Sequence, residues 1–466
     1  MYQPKKFLLW TFHELRELLA SEDDTDLSSL KFSTLYRYVK SKKEFIAQGK
    51  IPGISCLCPD CENLELLLEG ISKSECDIGL PTKCHDIVDR IACNPLTEKC
   101  VDGSCSDCPV LDLDPLLDCE TVNFHQWEKG TKYYEKKAQT KSGEELHAFL
   151  PIKLTELKGH YYRKRTQSAE YRRQIEQLAE GEVLIHVDYA ENYKNKQQNE
   201  IKAAYYGQGQ FSLYTVVVYM KVNGETKCKS FGLVTEENDH SCNVSFALNN
   251  FLINMLKAEH GITTIKFWSD GCASQFRSQF AFYMLSKLDR KISIEWHFFE
   301  SNHGKGSVDG IGGTIKHAVF RKVLAKQVVI TSPQEFAKFA DTILPTITVR
   351  YMSDEDLVLH FHEECRANSV YVYGTLQVHC VRRNITGNQC QLNFYKTSTS
   401  ECLMKSVVFN CSSAIPVAGS YYHCQLRRLT FSRYSYHCER RQKVCHCQMH
   451  AESFNSTRIN MEVATA

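Results

Sequence analysis

Hydrophobic and polar positions change their spacing at Val183, where a helical pattern gives way to strands. The run VLIHVDY from Val183 predicts a buried strand, and two runs rich in β-branched and aromatic residues follow over 211–220 and 227–237, with Gly224 at the turn between them. The later elements predicted by the spacing are a helix over 245–261, a strand over 262–270, a helix over 278–290, a strand over 291–300 and a helix over 313–326. The order β-β-β-α-β-α-β-α predicts an α/β domain, a mixed sheet with helices on both faces.

The remaining patterns divide the chain into six segments. Residues 11–48 have helical spacing with Ser33 as a candidate N-cap, and a strong helix is predicted over 161–179. The predicted segments are 1–50, a helical N-terminal segment; 51–120, a cysteine-rich zinc-binding module; 121–180, a helical connector; 181–330, the α/β domain; 331–410, a small α+β extension; and 411–466, an irregular tail.

Overall charge and hydropathy exclude few classes of function. A formal net charge of +1 over 466 residues indicates no preference for acidic or basic partners, so any nucleic-acid surface has to be local. No run approaches the roughly 20 apolar residues that a membrane span needs. The short apolar run at the N-terminus is followed at once by charged residues, without a small-residue cleavage site. We therefore expect an intracellular, reducing environment and no membrane association.

Cysteine is the compositional outlier, with 22 residues. In a reducing setting, clustered cysteines favour zinc over disulfides, with buried free thiols as the alternative. Two Cys-x-x-Cys knuckles stand out, and the predicted structural Zn²⁺ site is Cys58, Cys61, Cys105 and Cys108, because thiolates need short turns to converge on a tetrahedral ion. A second site could draw on Cys84, His85, Cys93 and Cys100. The Cys- and His-rich stretch 437–450 is a further candidate, with an irregular end of the chain as the alternative.

Three acidic residues lie at the ends of predicted elements. Asp188 and Asp270 each follow an apolar strand, and Asp309 lies in a glycine-flanked segment that opens a helix. A single aspartate in such a place is most often a turn or cap residue. Three that converge predict a site for hard divalent cations, Mg²⁺ or Mn²⁺, and hence phosphoryl-transfer chemistry. Glu300, at the end of the fifth strand, competes with Asp309 for the third position.

The blocks DYAENY, SDGCASQFRS and HGKGSVDGIGG resemble those of cut-and-paste DNA transposases and their transposon-derived relatives, in particular a group of animal proteins with a cysteine-rich N-terminal region. The resemblance covers about residues 180–330. It implies a ribonuclease-H-like catalytic domain in which Asp188, Asp270 and Asp309 hold two metal ions for DNA cleavage and strand transfer. The third acid in such families is often glutamate, and here it is the shorter aspartate.

The resemblance also implies contacts with DNA around these acids. Gln275 and Arg277 follow the second acid, and His303 and Lys305 precede the third, where all four could contact phosphates. Taken singly, each is as well explained by an ordinary solvated or backbone-bonded side chain. The family further implies a nuclear protein with DNA as partner, a homodimer as a candidate assembly, and no small-molecule cofactor.

Three hypotheses follow. The first is a metal-dependent transposase or a close derivative. The second is a catalytically silent, zinc-containing DNA- or chromatin-binding protein that keeps the fold. The third is a ribonuclease-H-like nuclease unrelated to transposition. The intact acids favour the first over the second, and the cysteine-rich module favours the first two over the third.

Overall fold

The structure is a computed structural model that describes residues 6–7, 45–46, 57–206, 209–236, 240–353, 355–357 and 368–410. None of the described helices is long and apolar enough to span a membrane. The predicted helices within 1–50 and the predicted irregular tail over 411–466 lie outside the described residues, apart from two short strands. These are β1 (Lys6–Phe7) and β2 (Phe45–Ile46), which pair in parallel, so residues 45–46 are strand where helical spacing was predicted.

A mixed sheet of nine strands forms the centre of the described chain. Its strands are β5 (Glu182–Lys194), β6 (Gln210–Val222), β7 (Glu225–Thr235), β8 (Thr264–Ser269), β9 (Ser293–Phe298), β10 (Ile347–Met352), β11 (Cys380–Thr386), β12 (Gln389–Tyr395) and β13 (Leu403–Asn410). They lie in the order β10-β7-β6-β5-β8-β9-β11-β12-β13. Strands β5, β6 and β7 form an antiparallel meander, and β8 and β9 add to it in parallel. The predicted α/β class with a mixed sheet is confirmed.

Helices cover both faces of this sheet, as predicted. The helices from residue 143 onward are α4 (Gly143–Glu176), α5 (Lys202–Tyr206), α6 (Cys242–His260), α7 (Gln279–Lys287), α8 (Ser307–Leu324) and α9 (Pro333–Ile343). Helices α6 and α7 pack on the face that carries Val183, Ile185 and Phe267. Helices α8 and α9, with the C-terminal half of α4, cover the opposite face. The alternation of side chains along each strand therefore fills two separate hydrophobic cores.

The cysteine-rich segment has a core of its own. It contains α1 (Pro59–Ser72), α2 (Cys84–Ile91) and α3 (Glu98–Asp102), followed by a hairpin of β3 (Thr121–Lys129) and β4 (Tyr134–Ser142). Leucine and isoleucine side chains of α1 and α2 pack against Val122, Phe124 and the first half of α4. The 34-residue helix α4, about 50 Å long, thus contributes to this core and to the sheet.

Two predicted segments differ from the structure. The connector 121–180 was predicted to be helical, but it begins with the β3–β4 hairpin, and the helix starts at Gly143 behind a capping box made by Ser142 and Glu145. The exposed side of β3 is mainly polar and β4 is exposed over most of its length, so neither strand shows a clear hydrophobic pattern. The segment 331–410 is not a separate extension, because β10 pairs with β7 and β11 pairs with β9.

Helix α8 lies close against β5 through one glycine. A Cβ atom at Gly312 would lie 2.6 Å from the Cβ of Ala190, whereas one at Gly313 would meet nothing within 4 Å. We expect Gly312→Ala to lower the free energy of unfolding by about 1–3 kcal/mol, since helix and strand must move apart. Gly313→Ala, its matched control, is expected to raise stability by about 0.5–1 kcal/mol. Urea unfolding of both variants tests this, and equal effects would contradict the packing.

Candidate functional site

The sheet brings two of the predicted acids to one edge. Strands β5 and β8 are parallel neighbours whose last paired residues are His186 and Trp268, and Asp188 and Asp270 each come two residues later. Alternation along β5 puts Asp188 on the same face as His186, the face that α8 covers. Asp309 lies in the first turn of α8. Asp270 directly follows β8, whereas Asp188, predicted to follow its strand, lies within β5, because pairing with β6 continues past it. The three aspartates therefore meet where the parallel pairing of β5 with β8 ends, the end of an α/β sheet at which sites commonly form.

The three carboxylates interact electrostatically. Burial, with added repulsion from Asp270 and Asp309, raises the pKa of Asp188 to about 7. Burial also raises the pKa of Asp270, although the backbone N–H of Cys272 lowers it in part. A cation at this edge would reverse both shifts, because it favours the ionised carboxylates.

The carboxylate oxygens of the three aspartates lie farther apart than the ligand atoms of a closed metal site. Within the described part of the chain, two groups of ligand atoms lie within 4.8 Å of one another, and the three aspartates are not among them. Asp309 is exposed, and its Oδ2 accepts a hydrogen bond of 2.8 Å from the backbone N–H of Gly306, as a helix-capping carboxylate does.

The raised pKa of Asp188 leads to a prediction about pH. In the unfolded chain an aspartate has a pKa of about 3.9, so the folded protein binds more protons between pH 4 and 7. Its stability should therefore fall as the pH rises through this window. In buffer without Mg²⁺ or Mn²⁺, we expect Asp188→Asn to unfold like the native chain at pH 4 but to be more stable at pH 8, by at most about 4 kcal/mol. Urea unfolding at the two pH values measures the difference, and a constant difference would contradict the shift.

The predicted phosphate-contacting residues differ in their environments. Lys305 is exposed and Gln275 is half-buried, so both remain candidates. Arg277 is only 2% exposed, and its Nη1 donates to the carbonyl of Val378 at 3.2 Å. Its guanidinium lies against Gly271, where a Cβ atom would come within 2.3 Å of Nη2. Arg277 is therefore an internal side chain in this structure rather than a surface contact for DNA.

Glu300, the rival for the third acid, is held in an ion-pair network. Its Oε1 lies 2.8 Å from Nδ1 of His160, and both carboxylate oxygens accept from Arg163, at 2.7 and 2.9 Å. Nε2 of His379 lies 2.7 Å from Oε2. Burial alone would raise the pKa of Glu300, but the hydrogen bonds from His160, His379 and Arg163 hold it well below its usual range. Since these groups occupy both oxygens, Asp309 is the better third acid.

His160 belongs to a compact group of four side chains, which we call the Cys/His cluster: Cys58, Cys61, His160 and His303. Cys58 precedes α1 and Cys61 lies in its first turn, whereas His160 comes from the middle of α4 and His303 from the loop between β9 and α8. The Nε2 atoms of the two histidines are 2.9 Å apart. Sγ of Cys58 lies 3.5 Å from Nε2 of His160, and Sγ of Cys61 lies 3.9 Å from Nε2 of His303. These four groups could hold a metal ion.

The thiols of this cluster are protonated in the absence of a cation. The hydrogen bond to Cys58 lowers the pKa of Cys61, but Cys84 and burial outweigh it and raise the pKa to about 12. Burial lowers the pKa of His160, yet its hydrogen bonds to Cys58 and Glu300 raise it to about 9. Metal binding here would therefore release protons.

A second group, the four-cysteine cluster, consists of Cys93, Cys100, Cys105 and Cys108. Sγ of Cys93 lies 3.6 Å from that of Cys105 and 4.0 Å from that of Cys108. A tetrahedral ion with metal–sulfur bonds of about 2.3 Å requires sulfur separations of about 3.8 Å. The hydrogen bond to Cys105 raises the pKa of Cys93 to about 12, while the hydrogen bond from Thr97 lowers that of Cys100 to about 6. This cluster could also hold a metal such as zinc.

The predicted pairing of the cysteine knuckles differs from these groups. Cys58 and Cys61 do not meet Cys105 and Cys108, because α1 turns its N-terminus toward α4 while the second knuckle closes on the loop after α2. Of the other predicted ligands, His85 is exposed beside Asp86, and Cys84 donates to the carbonyl of Cys61 at 3.3 Å. Cys76 and Cys119 form a disulfide, whereas the sequence analysis expected zinc ligands or free thiols in this segment.

Sequence reasoning missed His160 and did not connect His303 with the cysteines. His160 lies within a polar, basic stretch of helix and is nevertheless only 5% exposed. No short motif links it to Cys58, which lies 102 positions earlier. A histidine flanked by apolar and aromatic residues in a predicted helix was the signal present, and it is a weak one. His303 was predicted as a phosphate contact, whereas its ring points at His160 and Cys61.

A cleft of about 760 Å³ lies beside the Cys/His cluster. Its walls include His160, Arg163 and Glu300, and it contains Lys153 and Lys396 at its margin. None of the three aspartates is among its described lining residues. The acids therefore lie outside this cleft.

Comparisons with known proteins give limited information. A family described as "Domain of unknown function (DUF8701)" matches residues 167–398, a span that contains the three aspartates and His303 but not His160 or the cysteine clusters. No curated protein matches the chain. A solved structure, described as the crystal structure of NurA, shares 10% identity over 55% of this chain and 51% of its own, so the match spans about half of each; its TM-score of 0.13 supports no argument.

Proposed function

We propose that this protein is a divalent-metal-dependent enzyme that cleaves and transfers DNA strands, with Asp188, Asp270 and Asp309 as its metal ligands. The observation that carries the proposal is the convergence of two half-buried carboxylates where the pairing of β5 with β8 ends, with burial and repulsion raising the pKa of Asp188 to about 7. Such burial costs folding free energy, so a cation that neutralises the site is the best reason for it. The order β7-β6-β5-β8-β9 supports a ribonuclease-H-like domain.

The proposed roles follow from position. When bound, two Mg²⁺ or Mn²⁺ ions supply an activated hydroxyl or water and neutralise the leaving oxygen of an in-line displacement. Asp188 interacts with both other acids, so we assign it to both ions, and Asp270 and Asp309 to one ion each. Lys305, exposed before Asp309, and Gln275, after Asp270, would contact the DNA backbone. We further propose that the protein acts in the nucleus, where its DNA substrate is found.

Structural zinc is the second part of the proposal. The four-cysteine cluster offers four sulfur ligands at tetrahedral separations and no position for water, which is typical of structural rather than catalytic zinc. It would stabilise the loops around α3, where the small core of the module provides little burial. Metal binding there would contribute directly to folding.

A catalytically silent DNA- or chromatin-binding protein is the second candidate function. It is favoured by one observation: the hydrogen bond of Asp309 to Gly306 engages the third acid as a helix cap, and the acids form no closed ligand set among the described residues. In that case the fold would bind DNA without cleaving it.

The test is a divalent-metal titration of the full chain with a DNA cleavage readout. Supercoiled plasmid and linear duplex would be incubated with Mg²⁺, Mn²⁺ or Ca²⁺ after removal of loosely bound ions. We expect nicks or strand-transfer products with Mg²⁺ and Mn²⁺ but not Ca²⁺, because Ca²⁺ adopts a looser coordination. DNA binding without cleavage under all conditions would favour the silent protein, and the absence of both would refute the proposal.

A further inference from the structure

We propose that Cys58, Cys61, His160 and His303 bind a zinc ion that fastens the cysteine-rich module to the loop between β9 and α8. This site is separate from the acids and from the four-cysteine cluster. Its ligands come from three parts of the chain: the start of α1, the middle of α4, and the loop that leads into α8. The metal assignment stands without the proposed function, whereas its consequence for the acids depends on that function.

The geometry suits a tetrahedral ion. Zinc with bonds of about 2.05 Å to nitrogen and about 2.3 Å to sulfur requires ligand separations of about 3.3–3.8 Å. Sγ of Cys58 lies 3.5 Å from His160 and Sγ of Cys61 lies 3.9 Å from His303, both within about 0.2 Å of these values. The histidine nitrogens are 2.9 Å apart, so they would separate by about 0.4 Å on binding the ion. Two sulfur and two imidazole ligands in a closed, mostly buried group favour zinc over Mg²⁺ or Ca²⁺, which prefer oxygen.

The surroundings of His160 orient it as a ligand. Its Nδ1 faces Oε1 of Glu300 at 2.8 Å, so Nδ1 donates to the carboxylate and Nε2 is the nitrogen that would bind the ion after losing its proton. Carboxylates commonly fix metal-binding histidines in this way. Arg163 and His379 hold the Glu300 carboxylate in turn. His85, the exposed histidine of the same module, has Asp86 beside its Nε2 at 3.0 Å, but both side chains are exposed and it belongs to neither described ligand group.

The loop that carries His303 connects the cluster to the acids. It begins at Glu300, whose carbonyl accepts from the N–H of His303 at 2.9 Å. At Gly304 the chain passes close to Asp270, since a Cβ atom there would lie 3.3 Å from the Cβ of Asp270. The N–H of Gly306 then bonds to Asp309. A zinc ion on His303 would therefore fix the segment that touches the second acid and bears the third.

Metal content of the full chain tests the site. Zinc per chain would be measured by inductively coupled plasma mass spectrometry for the native protein and single variants. We expect Cys61→Ser and His303→Ala each to lose one zinc, and Cys105→Ser to lose a different one, so that Cys61→Ser with Cys105→Ser loses two. His303→Cys, which keeps a ligand, and His85→Ala, the matched exposed histidine, should lose none.

Cobalt substitution identifies the ligands. Tetrahedral Co²⁺ has visible absorption, and its thiolate charge-transfer band grows with the number of sulfur ligands. The Co²⁺-loaded His303→Cys variant should therefore absorb more strongly in that band than the native chain. A native-like circular dichroism spectrum with unchanged zinc content in both Cys61→Ser and His303→Ala would overturn the proposal, as would an unchanged band in His303→Cys.

Limited proteolysis tests whether the zinc ion holds the loop between β9 and α8 in place. Trypsin cleavage after the exposed Lys305 is expected to become at least about tenfold faster in His303→Ala, because the loop opens more often without its anchor. Cleavage after Lys326, beyond α8, should be unaffected. Equal rates after Lys305 would overturn the link. If the native chain shows the expected zinc content and proteolysis but never cleaves DNA, the proposed function fails while the zinc site stands. If the chain cleaves DNA but the variants keep all their zinc, the zinc site fails while the proposed function stands.

Discussion

The Asp188→Asn variant is expected to cleave DNA about 10²–10⁴-fold more slowly than the native chain at saturating Mg²⁺. An amide is neutral and a poor ligand for a hard divalent ion, and each factor of ten corresponds to 1.36 kcal/mol, so losing several kcal/mol of charge stabilisation accounts for this range. The same substitution removes the charge whose burial, with added repulsion from Asp270 and Asp309, raises the pKa of Asp188 to about 7. Loss of activity should therefore come without loss of stability, and rates from single-turnover nicking assays, paired with urea unfolding, measure both.

Glu225→Gln provides the control for this prediction. It makes the same carboxylate-to-amide change at an exposed position in the β6–β7 hairpin. We expect it to retain the native rate within about twofold. If Asp188→Asn remains as active as the native chain, the assignment of this carboxylate to the metal ions is wrong, whatever the cause of its raised pKa.

Glu300→Gln is expected to lower the free energy of unfolding by about 3–5 kcal/mol at pH 7. The native carboxylate is 5% exposed and accepts from His160 and Arg163, with His379 beside it. Removing its charge leaves these groups buried without their counter-ion, which is the costly way to break a buried ion pair. Because Arg163 remains about a third exposed, the lower end of the range is the better expectation. Urea unfolding of the full chain measures the change.

The pH dependence of this difference provides an independent check. The hydrogen bonds depress the pKa of Glu300 in the folded protein, so its contribution is present above its unfolded pKa of about 4.3 and is lost as the pH falls below it. The two proteins should converge in stability toward acid. Glu259→Gln, which removes an exposed carboxylate 3.6 Å from Lys229, should change stability by less than about 1 kcal/mol. A similarly small effect at Glu300 would contradict the proposed network.

Strand and helix order was readable because it depends on neighbouring residues. The apolar runs from Val183 to Phe298 bury both faces of their strands, and this signal lies within each run. This hydrophobic signal was absent in β3 and β4. Their exposed side chains are mainly polar, and the buried side of the hairpin consists mainly of Val122 and Phe124. The predicted extension over 331–410 had the right mixture of helix and strand, but the membership of its strands in the central sheet was not readable, because pairing partners are set by long-range contacts.

For the candidate sites, too, some features followed from local sequence and others from tertiary contacts. The sequence by itself determined the α/β class, the cysteine-rich module and the placement of Asp270 after a strand, since each depends on local spacing. Asp188 lies within β5 rather than after it, because its pairing with β6 continues beyond the apolar run. Only the tertiary structure decided that Cys58 and Cys61 face His160 and His303, which lie 143 positions apart. It also decided that Glu300 supports His160 rather than completing the acidic set. The physical reason is that these ligands are brought together by the packing of α4 on both cores. A periodic pattern along one helix or strand carries no information about which distant element it will contact.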